Sequence, residues 1–355
     1  MNKRKPYKYL LSYVTPLVVG FSLCAHGVWT FTALLVLFGA IPILEMLTTG
    51  QTKNLSPEDE EAALKNHFYD WVVYGMVPVQ YGLLLLFLFR IGDPTLSPTE
   101  LTGMTIAMGL SCGVLGINVA HELGHRLNRN EQFLSKALLL TSQYLHFFIE
   151  HNRGHHLHVA TQVDPASARY GEHIYAFFFR SIFGSWKSAW QLESKRLRLA
   201  KKPFWRLDNE MLRFQFIQVV FLATIAIGFG IKVLLLYFIA ALIGILLLET
   251  VNYIEHYGLT RKQKGDRFER TMPIHSWNSN HPIGRLLLFE LSRHSDHHYI
   301  SSRKYQVLRH FNESPQMPTG YPGMMLLALI PPLWFGVMHR SIRHYRNTDA
   351  GRALA

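Results

Sequence analysis

Apolar residues run along this chain in long blocks rather than in the alternating or 3.6-residue stripes of a soluble domain. From Tyr9 to Leu44, 36 consecutive residues carry no Asp, Glu, Lys or Arg, and the Ala25-His26-Gly27 turn signal interrupts them near the middle. A bilayer-spanning helix takes about 20 apolar residues, so this run predicts a tight hairpin of two spans. Further charge-free runs cover Trp71–Phe89, Leu101–Ala120, Phe214–Ile231 and Val233–Leu248. The last is short, and Lys232 snorkelling to one interface with Glu249 at the other completes it. The pattern predicts an all-α integral membrane protein with six transmembrane helices, near residues 9–25, 28–47, 71–90, 101–120, 214–231 and 233–250. A soluble helical core is the alternative, but its helices seldom stay charge-free for such lengths.

Two polar blocks, residues 121–212 and 251–355, follow the fourth and sixth spans. Within the first, Gln132–Ile149 reads as a partly buried helix. Tyr321–Met338 is free of charge, yet Pro322, Pro331 and Pro332 would break a regular span, so it reads as a re-entrant or interfacial segment. With no internal repeat and no low-complexity tract, residues 1–355 form one membrane-embedded domain.

The basic residues orient the weave. Lys3, Arg4, Lys5 and Lys8 at the N-terminus, together with the thirteen Lys and Arg between His121 and Met211, contrast with a loop from Ile91 to Glu100 that has none. By the positive-inside rule both polar blocks and both termini are expected on the cytoplasmic side. The N-terminus lacks the pattern of a removable signal peptide, so the first span is expected to remain as an anchor. The same asymmetry accounts for much of the net charge of +12 without invoking nucleic acid. Hydrophobic residues make up 49% and charged residues 17%, against about a quarter charged in a soluble domain. Cys24 and Cys112 are the only cysteines, too few for a disulfide framework or a four-cysteine metal site.

Nineteen histidines change the picture, because most fall in tight clusters. His121-Glu122-Leu123-Gly124-His125 stands at the cytoplasmic end of the fourth span, with both imidazoles on one helical face. Glu150-His151-Asn152-Arg153-Gly154-His155-His156 is the second cluster. On an α-helix His155 lies about 40° round from His151 and His156 about 140°, so His151 and His155 are expected to share a metal while His156 turns to a neighbour. His294, His297 and His298 share a face by their i, i+3 and i+4 spacing, and His256 follows the sixth span. Nine imidazoles exceed what one tetrahedral or octahedral ion accepts, so two metals are predicted, with four and five histidines each. Neutral ligands leave the metal charge uncompensated, and Glu122, Glu150, Glu255 and Asp296 beside them are the candidate balancing carboxylates. His146, His158, His173, His275, His281 and His310 lack ligand spacing, and His26, His67, His339 and His344 stand apart from the chemistry.

These clusters resemble those of the integral-membrane di-iron oxygenases and desaturases, and more closely the bacterial alkane 1-monooxygenases. The similarity is carried by His121–His125, Glu150–His156, Asn252–Gly258 and Leu291–His298, and extends through His275–His281 and Pro318–Gly323. It implies a non-haem site of two iron ions that splits dioxygen and places one atom into a terminal C–H bond of an alkane. It also implies electrons from rubredoxin, reloaded by an NAD(P)H-dependent rubredoxin reductase. Two cysteines cannot hold a rubredoxin iron, so that carrier acts in trans. Lys195, Arg196, Arg198, Lys201, Lys202, Arg261 and Lys262 offer it a basic surface, and serve equally to satisfy the positive-inside rule.

Other readings explain less. A membrane metalloprotease uses His121, Glu122 and His125 but leaves six clustered histidines idle. A metal transporter places ligands near the bilayer midplane, not at span ends. An aryl-methyl hydroxylase or a fatty-acyl desaturase on the same fold stays open.

Overall fold

The computed structural model describes residues 6–352, so the basic residues Lys3, Arg4 and Lys5 lie outside the described part. Its regular structure is almost entirely helical. The only strands among the described residues are the antiparallel pair Gln263–Lys264 and Arg267–Phe268.

The hairpin turns where the Ala25-His26-Gly27 signal lies. Helix α1 (Val14–Cys24), led in by the 3-10 helix Pro6–Tyr13, ends at an extended Ala25, and α2 (Gly27–Met46) starts from Gly27 at φ +57°. Then come α3 (Phe68–Ile91), α4 (Pro98–Gly124), α5 (Arg129–Leu140), α6 (Ile174–Leu199), α7 (Glu210–Phe229) and α8 (Ile231–His256). Five of these, α2, α3, α4, α7 and α8, are long and apolar enough to cross a membrane. The α1 segment is not among the five; its regular α-helix is 11 residues long, after a 3-10 lead-in of eight.

Helix α4 is the central span. In its most apolar stretch 89% of residues are buried, against 11% in α7, which leaves α7 at the lipid-facing edge. Ser97 caps α4 in a capping box with Glu100, and Pro98 occupies its first turn, a combination that fixes where the helix starts. Glycines bring α4 against α8: a Cβ at Gly109 would stand 2.6 Å from Ile243, and one at Gly244 would stand 2.6 Å from Cys112. Small residues at such crossings let two spans meet backbone to backbone.

The expected Gln132–Ile149 helix is two pieces. Helix α5 stops at Leu140, Gln143 turns the chain at φ +54°, and Phe147–Glu150 restarts it. Thr141 caps the break by donating its hydroxyl to the Leu138 carbonyl, and Ser142 donates to the Cys112 carbonyl of α4. These local bonds compete with helix continuation. The proline-rich segment is likewise split, into α10 (Tyr321–Ala328) and α11 (Pro331–Arg346), after the short α9 (His294–Tyr299). Pro331 and Pro332 fall in the first turn of α11, where a missing N–H costs nothing.

Backbone bonds stitch the C-terminal block over the end of α8. Trp277 donates its N–H to the Glu255 carbonyl at 2.8 Å and its indole N–H to the Tyr257 carbonyl at 2.9 Å. Ser295 donates to the Ser276 carbonyl, and Ser279 N–H to that of Ser292. Residues 275–281 thereby form a strap that holds α9 against the end of α8.

Candidate metal centre

The nine clustered histidines come together in two groups. His121, His125, His151, His156 and His297 offer ring nitrogens within 4.8 Å of one another, and so do His155, His256, His294 and His298. Shared-face spacing accounts for His121 with His125, and for His294 with His298. It does not account for the second cluster, where His151 joins His156 and His155 goes to the other group. The reason is local: His151–His155 is a π-turn, with the His156 N–H bonded to the His151 carbonyl five residues back. Such winding brings residue i+5 back over residue i and frees i+4 to point elsewhere. His297 also leaves its neighbours and faces His121.

The donor atoms fit metal ions. Nε2 of His121 lies 2.9 Å from Nε2 of His297, that of His125 3.0 Å from that of His151, and that of His156 3.1 Å from both His151 and His297. Nitrogens about 2.0–2.1 Å from a shared ion and at right angles are roughly 3 Å apart. Lone pairs aimed at one another at this spacing are what an ion would satisfy. In the second group Nε2 of His256 and His294 are 3.3 Å apart, and Nε2 of His155 and both ring nitrogens of His298 are buried without a partner. Burial, reinforced by neighbouring imidazoles, holds His125, His151, His156, His294, His297 and His298 well below the usual histidine range. They are neutral near pH 7, the form that offers a lone pair.

The carboxylates divide by role. Glu255 Oε2 lies 3.1 Å from His294 Nε2, and its Oε1 accepts from the Tyr321 hydroxyl at 2.7 Å. Glu122 is instead bound by Arg126 at 2.7 and 2.9 Å, and Arg126 continues to Asp70. Asp296 is paired with Arg303 and accepts from the Arg309 N–H. Neither has a hydrogen bond to a clustered histidine; they brace the helices that carry them. Glu150 is fully buried beside the π-turn, 3.4 Å from the Ser188 hydroxyl. Burial and the nearby Asp164 and Glu249 push it well above the usual carboxylate range. Asp164 is the residue that sequence reasoning missed. Its Oδ2 is 2.8 Å from His155 Nδ1, and it also accepts from Ser167 and the Ala166 N–H. Although burial opposes it, the facing His155 keeps Asp164 below the usual range. No spacing rule marks a loop residue nine positions from its partner.

Of the remaining histidines, none enters either group. His146 packs edge-on to Tyr144, and His275 faces Glu269 at 3.3 Å. The basic surface is partly used internally: Arg196 pairs with Glu193, Lys202 with Asp208, and Arg261 is buried, bonding to Thr271 and the Leu157 carbonyl. Lys195, Arg198, Lys201 and Lys262 stay exposed.

An apolar slot leads to the histidines. It runs between α2, α4 and α8 among Leu37, Phe38, Ile41, Val114, Leu247 and Val251, and reaches His121, His151 and His294 at its end. Besides the histidines, its polar lining residues are Thr15, Asn118, Asn252 and Glu255.

The buried imidazoles form two clusters that could each hold a metal ion, beside helices apolar enough to cross a membrane, and residues 98–328 match the fatty acid desaturase family. Alkane 1-monooxygenase of Pseudomonas putida is 38% identical to the chain, covering 98% of it and 88% of the relative. That of Ectopseudomonas oleovorans is 39% identical over the same shares. The xylene/toluene monooxygenase hydroxylase component of Pseudomonas putida is 28% identical, over 93% of the chain and 86% of the relative. The chain belongs to the alkane 1-monooxygenase family and is an oxidoreductase of the monooxygenase type.

Proposed function

We propose that this protein hydroxylates the terminal carbon of alkanes, using dioxygen and electrons delivered by a separate rubredoxin. The slot is the observation that carries the reading: an almost wholly apolar cavity that ends on clustered imidazoles. An alkane has no polar handle, so its affinity comes from burial, about 0.8 kcal/mol per CH2. Eight residues of α4 separate Gly113 from His121 along the slot, a depth of about 12 Å at the helical rise. Leu37, Val114 and Leu247 hold the chain, and the slot's end presents one terminal carbon to the histidines. Regioselectivity then follows from reach.

In this reading His121, His125, His151, His156 and His297 hold one iron, and His155, His256, His294 and His298 hold the other. When bound, the two irons supply the redox chemistry that activates dioxygen. Asp164 orients His155, and Glu255 faces His294 and offsets charge there. With α1 as a sixth span, the positive-inside rule sets both histidine-bearing blocks on the cytoplasmic side of a bacterial inner membrane. An acidic rubredoxin, reloaded by its NAD(P)H-dependent reductase, would meet Lys195 and Lys262 there. Alkanes are favoured over aryl-methyl substrates because identity is 38–39% to the first two relatives and 28% to the xylene/toluene hydroxylase component. The test supplies octane, dioxygen, NADH, rubredoxin and its reductase to protein in detergent or nanodiscs. 1-Octanol is expected; absence of any oxidised octane overturns the reading.

A further inference from the structure

Helix α6 connects the histidine-bearing block to α7, yet it is not one of the five membrane-crossing helices. Its 26 residues present three faces. At about 100° per residue, Phe177, Ser181, Ser185 and Ala189 share one face, and all are buried. There Ser181 donates to Glu249 of α8 at 2.5 Å, and Phe177 packs on Tyr253. Farther along, buried Glu193 accepts from the Glu210 N–H at the start of α7 and pairs with Arg153 of the π-turn. Helix α6 therefore runs across the ends of α8 and α7 rather than parallel to them.

The second face is apolar and uncovered. Tyr175, Phe179, Phe183 and Trp186 fall within about 80° of arc and are 49%, 71%, 68% and 45% exposed. The third face is polar: Gly184, Lys187, Ser188, Gln191 and Lys195 line a water-accessible cleft whose other wall is Glu150, Gly154 and His158. Lys187, at the edge of this cleft, and Arg198 lie on its side toward the aromatic stripe, exposed and without an ion pair among the described residues. The one acidic residue of α6, Glu193, is buried.

We infer that α6 is an in-plane helix seated in the headgroup layer of the bilayer that α7 and α8 cross, and that its occupant is anionic phospholipid. The aromatic stripe enters the acyl boundary, Lys187 and Arg198 meet lipid phosphates, and the cleft face stays in water. Continuity supports this occupant, because α6 leads through Trp205 and Leu207, 81% and 84% exposed, into the lipid-facing α7. Charge supports it as well, since the margin of the stripe offers cations and no exposed carboxylate. Apolar residues on one face with Lys and Arg on the next are the pattern of helices lying in a membrane interface. The assignment takes Arg198 out of the surface available to an electron donor. It does not depend on the substrate, so it stands or falls apart from the hydroxylase reading.

Spin labels test it in the full-length protein, in nanodiscs of phosphatidylglycerol and phosphatidylcholine, with Cys24→Ser and single cysteines at positions 179, 183, 187 and 191. Labels at 179 and 183 should collide with dioxygen several-fold more, relative to a water-soluble nickel chelate, than labels at 187 and 191. Replacing phosphatidylglycerol by phosphatidylcholine, or making Lys187→Gln with Arg198→Gln, should move the label at 183 toward the aqueous phase. Chelate access at 179 and 183 equal to that at 191 overturns the in-plane seat. Protection of both from either reagent also overturns it, by pointing to a second protein copy. Unchanged depth in phosphatidylcholine overturns the anionic-lipid assignment.

Discussion

Asp164 Oδ2 stands 2.8 Å from Nδ1 of His155, with both side chains buried. The carboxylate holds the imidazole with its N–H on Nδ1, so Nε2 is left to face His256, His294 and His298. Carboxylates in this position set the tautomer and raise the basicity of a metal-ligating ring.

Asp164→Asn should therefore weaken metal binding at the four-histidine group by roughly 10–100-fold. Titration against a competing chelator measures this. An unchanged dissociation constant at the four-histidine group would show that His155 needs no such partner.

The π-turn predicts a second outcome. A Cβ at Gly154 would lie 2.6 Å from Glu150 Oε1 and 3.0 Å from Leu192. Gly154→Ala should cost about 1–3 kcal/mol by overpacking, and should disturb both metal groups together, because His151, His155 and His156 share the turn. Thermal denaturation and metal content would be measured side by side; wild-type values for both would remove the turn from the account.

Glu290 gives the pH dependence. It accepts from Arg285 at 2.6 Å and from the Tyr9 hydroxyl at 2.7 Å. Burial alone would raise it, but Arg285 and Arg293 outweigh burial and leave it below the usual carboxylate value. The stability it contributes is thus present above the unfolded value of about 4.3 and lost as pH falls through the lower folded value. Melting curves of wild type and Glu290→Gln should differ most near neutral pH and converge in acid. A gap that widens in acid would reverse the sign.

Slot depth predicts chain length. Val114→Trp fills the slot on α4, and each methylene left unburied costs about 0.8 kcal/mol, close to fourfold in affinity. Product analysis over a series of alkanes should show turnover shifting to shorter chains; an unaltered profile would place the substrate elsewhere.

Much of this was legible because a membrane span and a metal site both write simple patterns. Charge-free runs located α2, α3, α4, α7 and α8, and i, i+4 spacing paired His121 with His125. Legibility failed where the backbone left the regular α-helix. The 3.6-residue rule pairs His151 with His155, whereas the π-turn exchanges His155 for His156. Gln143 at positive φ broke a helix that hydropathy reads as continuous. Asp164 and the Arg126 bracing of Glu122 arise from loop packing, which no periodicity encodes.

In the proposed reading nine histidines hold two irons that oxidise alkanes. The most direct test measures iron per chain and products from octane under 18O-labelled dioxygen in the same purified preparation, with rubredoxin, its reductase and NADH supplied. Two irons per chain and 1-octanol carrying one labelled oxygen are the predicted result. A single ion, or zinc with no labelled alcohol, would contradict it.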